Sequence, residues 1–161
     1  MDRNIQNLLV FVVEKQRFAI QLSQIERVIR AVAITNIKNS PGFIDGIIDY
    51  YGEVIAVIDL RLRLGYAQRE LRITDRFIII RTNHRKLALI VDEVEDILLP
   101  DAQDWYDSKD INKGLKFLNI LREDGGIIFI YDIEGLLDTE EEIQLNSFLK
   151  TNFPSTIVED E

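Results

Sequence analysis

Two stretches of this chain repeat earlier ones, and the repeat limits the possible folds more than any other feature. Phe18-Ala-Ile-Gln-Leu-Ser-Gln-Ile-Glu-Arg-Val28 lies without a gap on Leu87-Ala-Leu-Ile-Val-Asp-Glu-Val-Glu-Asp-Ile97, 69 residues on. Six positions are apolar in both copies, Ala19 matches Ala88, and Glu26 matches Glu95. A second pair follows at an offset of 73: Gly52, Ile55, Asp59 and Leu64 recur as Gly125, Ile128, Asp132 and Leu137. The same order therefore occurs twice: hairpin, polar turn, strand, long connection, strand, then an Asp that opens a helix. Two copies are too few for a solenoid, and they suit two similar small barrels packed together.

The 25 Ile residues fall in short clusters bounded by polar or Gly punctuation, the pattern of strands. Ten strands are predicted: residues 8–14, 17–21, 25–30, 46–50, 53–58, 76–82, 87–91, 94–99, 117–121 and 127–131. Turn signals separate them at 14–17, 51–53, 82–86 and 124–126. Two helices are expected. One is a single turn between Asp59 and Gly65. The other runs from about 139 to 150, with Thr139 as its cap, Glu140, Glu141 and Glu142 in the first turn and Lys150 near the end, an order that suits the helix dipole. Ile143, Leu145, Phe148 and Leu149 would form its buried side. Residues 151–161, with a Pro and an acidic end, are expected to be a frayed tail.

The 161 residues bound the chain to one ordinary domain or two very small ones sharing a core. With no Cys, thiolate metal sites, iron–sulfur clusters, a Cys nucleophile and disulfides are excluded. His84 is the single His, so a His-based metal site or a Ser-His-Asp triad has little to work with. Net charge is -9, but nine of the acids and only one base, Lys150, lie in residues 132–161, and the rest is nearly neutral. Arg61, Arg63, Arg69, Arg72, Arg76, Arg81, Arg85 and Lys86 form a local basic run. It reads as a solvated loop with strand edges, because no nucleic-acid recognition motif accompanies it. No run of about 18 apolar residues occurs, and the opening residues hold no apolar signal region. A soluble, cytoplasmic protein is the expectation.

Chemistry-bearing residues are few. Asp59 and Asp132 fall at matched strand-to-helix junctions; they could be a carboxylate pair for acid–base work, or each could cap a helix. The matched positions favour caps. Ser23 with Glu26 and Asp92 with Glu95 have capping-box or turn spacing. His84 sits in a polar turn. Trp105 and Tyr106 lie in the unpatterned segment 100–114 and could cover a barrel or sit at an interface. No phosphate loop and no nucleophile–base–orienter set is present, so an enzyme is not expected, and no cofactor or metal is called for. The apolar surplus points outward instead, to protein contacts.

The segment from Gly46 to Arg61 resembles the CheW family: Gly, two apolar residues, two variable ones, a position usually Arg before Gly52, then an apolar strand ending in Asp59-Leu60. Phe18-Ala-Ile with Ile25-Glu-Arg-Val28, Ser40-Pro-Gly-Phe-Ile44 and Leu87–Val94 are similar to further family segments, so the resemblance spans about residues 7–150. It implies a mainly β fold of two five-stranded Src-homology-3-like β-barrels sharing a hydrophobic core. The first would cover about 15–66 and the second about 67–138, with the N-terminal strand possibly shared.

The resemblance also implies a non-catalytic adaptor that couples chemoreceptors, through their cytoplasmic signalling tips, to the regulatory domain of the histidine kinase CheA. Neither nucleic acid nor direct membrane insertion is implied. The alternative is a divergent regulatory subunit or inhibitor acting on another kinase or signalling array; a hydrolase using Asp59 or Asp132 is a third reading. The expected receptor groove comprises Ile25, Arg27, Val28, Gly46, Tyr51, Gly52, Val91 and Val94. The expected kinase face comprises Ile34, Pro41, Phe43 and Ile44. The chain departs from the family where Tyr51 replaces the usual Arg, Arg27 a frequent Glu and Ala56 a frequent Pro.

Overall fold

The computed structural model describes residues 7–101, 117–123 and 126–154. Each of the ten expected strands forms: β1 (Leu8–Val13), β2 (Gln16–Gln21), β3 (Ile25–Arg30), β4 (Gly46–Tyr50), β5 (Glu53–Asp59), β6 (Arg76–Arg81), β7 (Lys86–Val91), β8 (Glu93–Leu98), β9 (Phe117–Glu123) and β10 (Gly126–Tyr131). Two helices join them, α1 (Leu60–Arg63) and α2 (Thr139–Asn152). The strands make two five-stranded sheets, ordered β8-β1-β2-β10-β9 and β3-β6-β7-β5-β4. The mainly β architecture expected from the sequence is the one observed.

The division near residue 66 is corrected. Each sheet takes three strands from one repeat and the leading hairpin from the other: β1–β2 joins β8, β9 and β10, while β6–β7 joins β3, β4 and β5. The two orders are equivalent strand for strand. Even the parallel pairings agree, with Phe129 opposite Phe18 in one sheet and Ala56 opposite Leu87 in the other. Those four residues match in the repeat. The chain is thus an internally exchanged pair of halves, and neither half can complete a sheet alone.

Period-2 alternation explains why the strands read as unbroken apolar runs: both faces are covered. Leu9, Phe11 and Val13 on β1, Ile78 and Ile80 on β6, and Leu87, Leu89 and Val91 on β7 face a shared core. Alternate residues face smaller cores belonging to one sheet each: Leu8 and Val10 in one, Phe77, Ile79, Ala88 and Ile90 in the other. Helix α2 seals the shared core with Leu145, Phe148 and Leu149.

Three details of α2 differ from expectation. Asp138, not Thr139, is the N-cap: its carboxylate accepts from Glu141 N–H while Glu141 Oε1 accepts from Asp138 N–H, a capping box. Ile143 is 63% exposed, because two residues before Leu145 is about 200° around a helix. Finally, Thr151 and Asn152 are helical, and Phe153 packs edge-on against Phe148; the rest of the expected tail, 155–161, is outside the described residues.

Candidate docking surfaces

The expected receptor surface starts from a two-residue hairpin. Tyr51 and Gly52 link β4 to β5 with φ of 50° and 85°. Both are left-handed, as a type I′ turn requires, which Asn-Gly satisfies best. Gly52 N–H donates to Asp49 Oδ1 at 2.8 Å and closes the turn. Tyr51 is a bulky residue in the left-handed region and is 78% exposed. Its ring meets the buried Tyr50 ring edge-on at 4.9 Å.

Arg27 comes from β3, at the opposite edge of the same sheet. It nevertheless donates to the Tyr51 hydroxyl at 2.8 Å, with its guanidinium 5.1 Å from the ring centroid. The adjacent Glu26 accepts from Lys86 Nζ at 3.1 Å and from the Tyr50 hydroxyl. The sheet is therefore curled until side chains link its two edges. The Tyr50 bond, then Lys86, hold the Glu26 carboxyl below the usual carboxylate range despite partial desolvation. Glu26 in turn raises Lys86.

Arg27 and Tyr51 are thus brought together, with Gly52 beside them and Val28 partly exposed next along β3. Ile25 and Val94 are half-buried against the shared core. Gly46 opens β4 at φ 150°, where a Cβ would lie 2.4 Å from Thr35 O and 2.7 Å from Ile34 Cγ2. Its role is a close backbone crossing. Val91 is a correction: it is fully buried, on the core face with Leu87 and Leu89, and cannot line an open groove.

On the expected kinase side, Ile44 is likewise buried in the shared core, so it presents nothing to a partner. Pro41 O accepts from Ile44 N–H at 3.3 Å and shapes the turn. Ile34 packs half-buried on the core of its own sheet. Phe43 is half-buried and lines a cleft of about 260 Å³ with Gly42, Leu62, Arg63 and Tyr131. Burial, partly opposed by Arg63, pushes the Tyr131 hydroxyl up to about 12, so it stays a neutral donor at any working pH. Leu62 and Tyr131 were not singled out in the sequence, since nothing local shows that α1 and β10 meet. Tyr66, Leu71 and Ile73, which no sequence pattern marks, are also exposed, in the connection to β6.

That connection is anchored by charge. Arg69 clasps Asp75 at 2.7 and 2.9 Å and reaches Asp92 at 2.9 Å. Burial alone would raise Asp75, but Arg69 and the Arg72 N–H outweigh it, and the carboxyl lies below its ordinary value. The basic run is therefore not uniformly solvated. Arg61 is 1% exposed and bonds to Glu14, Asp59 and Asp92. Asp92 sits where the chain leaves one sheet after β7 and enters the other at β8, so this buried cluster fastens the crossing. It also accepts from Glu14 N–H at 2.9 Å, which makes it neither a capping box nor a free carboxylate.

Asp59 and Asp132 are caps, accepting from Arg61 N–H at 3.0 Å and Glu134 N–H at 3.1 Å. Asp59 is in addition committed to the Arg61 guanidinium. Burial raises its pKa, with Arg61 opposing. Burial, then the Asp59 charge, also raise Asp45. Ser23 lies in a 3-10 turn, Leu22–Gln24. His84 is exposed in the β6–β7 turn. Among the described residues no group of three or more His, Asp or Glu could hold a metal ion, and no helix is long and apolar enough to cross a membrane. Trp105 and Tyr106 lie outside the described residues.

Comparison with known proteins agrees with the two-sheet fold. The chemotaxis protein CheW of Klebsiella aerogenes is 25% identical over 152 residues, covering 91% of this chain and 90% of that protein. The CheW of Bacillus subtilis is 26% identical over 140 residues, covering 84% and 88%. The crystal structure of the scaffolding protein TtCheW from Thermoanaerobacter tengcongensis superposes with a TM-score of 0.75 at 27% identity, over 84% of this chain and 94% of that one. The CheW-like domain family matches residues 7–141, and this chain belongs to it.

Proposed function

We propose that the chain is a non-catalytic cytoplasmic adaptor that couples the signalling tips of chemoreceptors to the regulatory domain of the histidine kinase CheA. The observation that carries this reading is the family match over residues 7–141. The geometry supports it with two separate surfaces. The receptor side centres on Arg27, Val28, Tyr51 and Gly52, with Ile25 and Val94 half-buried against the shared core and Gly46 fixing the start of β4. The kinase side centres on Ile34, Pro41 and Phe43, extended by the exposed Leu62. Apolar anchors in such a contact are each worth about 2 kcal/mol or more.

The test is retention of both partners. Immobilised chain should hold a receptor cytoplasmic fragment and the kinase regulatory domain together. Leu62→Asp and Phe43→Asp should lose the kinase alone; circular dichroism separates this from unfolding, to which the half-buried Phe43 is the more exposed. Retention of neither partner by the parent chain would remove the reading. The alternative, a regulatory subunit serving another kinase, gains from the replacement of the family's Arg and Glu by Tyr51 and Arg27.

A further inference from the structure

Three features on the receptor side converge on one side chain. Tyr51 keeps a left-handed φ of 50° that Gly or Asn would adopt with less strain, yet at 78% exposed its ring adds little to the core. Strain held without a packing return points to function. Second, Tyr51 holds Arg27 by a hydrogen bond to its hydroxyl, with the guanidinium 5.1 Å from the ring centroid, while the buried Tyr50 props the Tyr51 ring. Third, Arg27 makes no ion pair among the described residues. The carboxylate beside it in sequence, Glu26, is engaged by Lys86 and Tyr50.

An arginine tethered in this way has lost part of its rotamer freedom before any partner arrives, and the rest of its donor fork is open. A planar guanidinium fork fits a carboxylate with two parallel hydrogen bonds. We propose that Arg27, positioned by Tyr51, is the specificity-determining cation of the receptor-facing surface and reads an Asp or Glu side chain on the partner's helical tip. This rests on the adaptor reading above. A helix offers such a residue at a fixed height among its apolar anchors, so the pair sets register and partner choice more than total affinity.

The experiment is calorimetric titration of the full chain with a purified receptor signalling-tip fragment, at low and high salt. Arg27→Glu should weaken binding tenfold or more, and Arg27→Gln should bind less tightly than the parent with a shallower salt dependence. Tyr51→Leu should reproduce part of the loss. Reversing the tip's Asp and Glu residues to Lys one at a time should restore binding to Arg27→Glu at one position. Arg27 is exposed, so melting curves of these variants should overlay the parent's. If the parent binds and Arg27→Glu binds equally well at both salts, the proposal is overturned while the adaptor reading stands. If the parent does not bind the tip at all, both fall together.

Discussion

Replacing Arg61 with Ala should cost about 4 kcal/mol, far more than its place in a basic run suggests. The side chain is 1% exposed and holds three carboxylates whose own side-chain exposures are 3% for Asp59, 23% for Asp92 and 41% for Glu14. Removing one partner of a buried pair costs about 3–5 kcal/mol, because it strands the other charge. Asp59 is the stranded one; it keeps only the Arg61 backbone N–H, while Asp92 keeps Arg69. The low end of that range therefore applies. Glu14, largely solvated, adds at most about 1 kcal/mol, and the buried aliphatic stem about 1 kcal/mol.

The pH dependence of this variant has a definite sign. Burial already raises the folded-state pKa of Asp59, with Arg61 opposing. Without Arg61 it rises further. The folded state then keeps a proton that the unfolded chain has released, so stability falls as pH rises from the unfolded Asp value through the folded one. The deficit of Arg61→Ala should be largest at neutral pH and shrink in mild acid. Urea unfolding followed by circular dichroism at both pH values measures it. Pairing Arg61→Met with Asp59→Leu should recover most of the loss, since an apolar pair strands no charge. A deficit under about 1 kcal/mol at neutral pH, comparable to a solvated surface pair, or one that widens in acid, would refute the reasoning.

Asp132→Ala should cost about 1 kcal/mol, a lost cap, and Asp59→Ala clearly more, by the same unfolding assay, because Asp59 also serves Arg61; equal losses would contradict the burial argument. Gly46→Ala should cost about 3 kcal/mol or more, since its Cβ meets backbone and cannot be accommodated by a rotamer change; a melting temperature close to the parent's would contradict it. Fragments 1–66 and 67–161, prepared separately, should each lack cooperative unfolding and regain strand content on mixing, as the exchanged hairpins require; an independently folding fragment would contradict the topology.

The strands were legible because β-branched runs buried on both faces leave a strong local signal, and the repeat showed that they come in two sets. The hairpin exchange was not legible. Matching segments such as 18–28 and 87–97 look the same whether each hairpin stays with its own half or crosses over, and pairing between distant strands leaves no local trace. Arg61 was misread for a related reason. A cation followed by Leu and another Arg looks solvated until Glu14, Asp59 and Asp92 converge on it from three separate turns. The resemblance places Val91 and Ile44 on docking surfaces, whereas their position on the alternating strand face or in the turn after Pro41 commits them to the core. Arg27 and Tyr51 stand out in the sequence as departures from a family pattern; that they lie close together is legible there, but the hydrogen bond from Arg27 to the Tyr51 hydroxyl is not.

The central claim is that one small chain bridges two larger partners. Sedimentation velocity on three components, the chain, a receptor signalling-tip fragment and the kinase regulatory domain, tests it most directly. The fragment should co-sediment with the regulatory domain only when the chain is present, in a complex heavier than either binary one. A chain that binds each partner alone but never both at once would contradict the account.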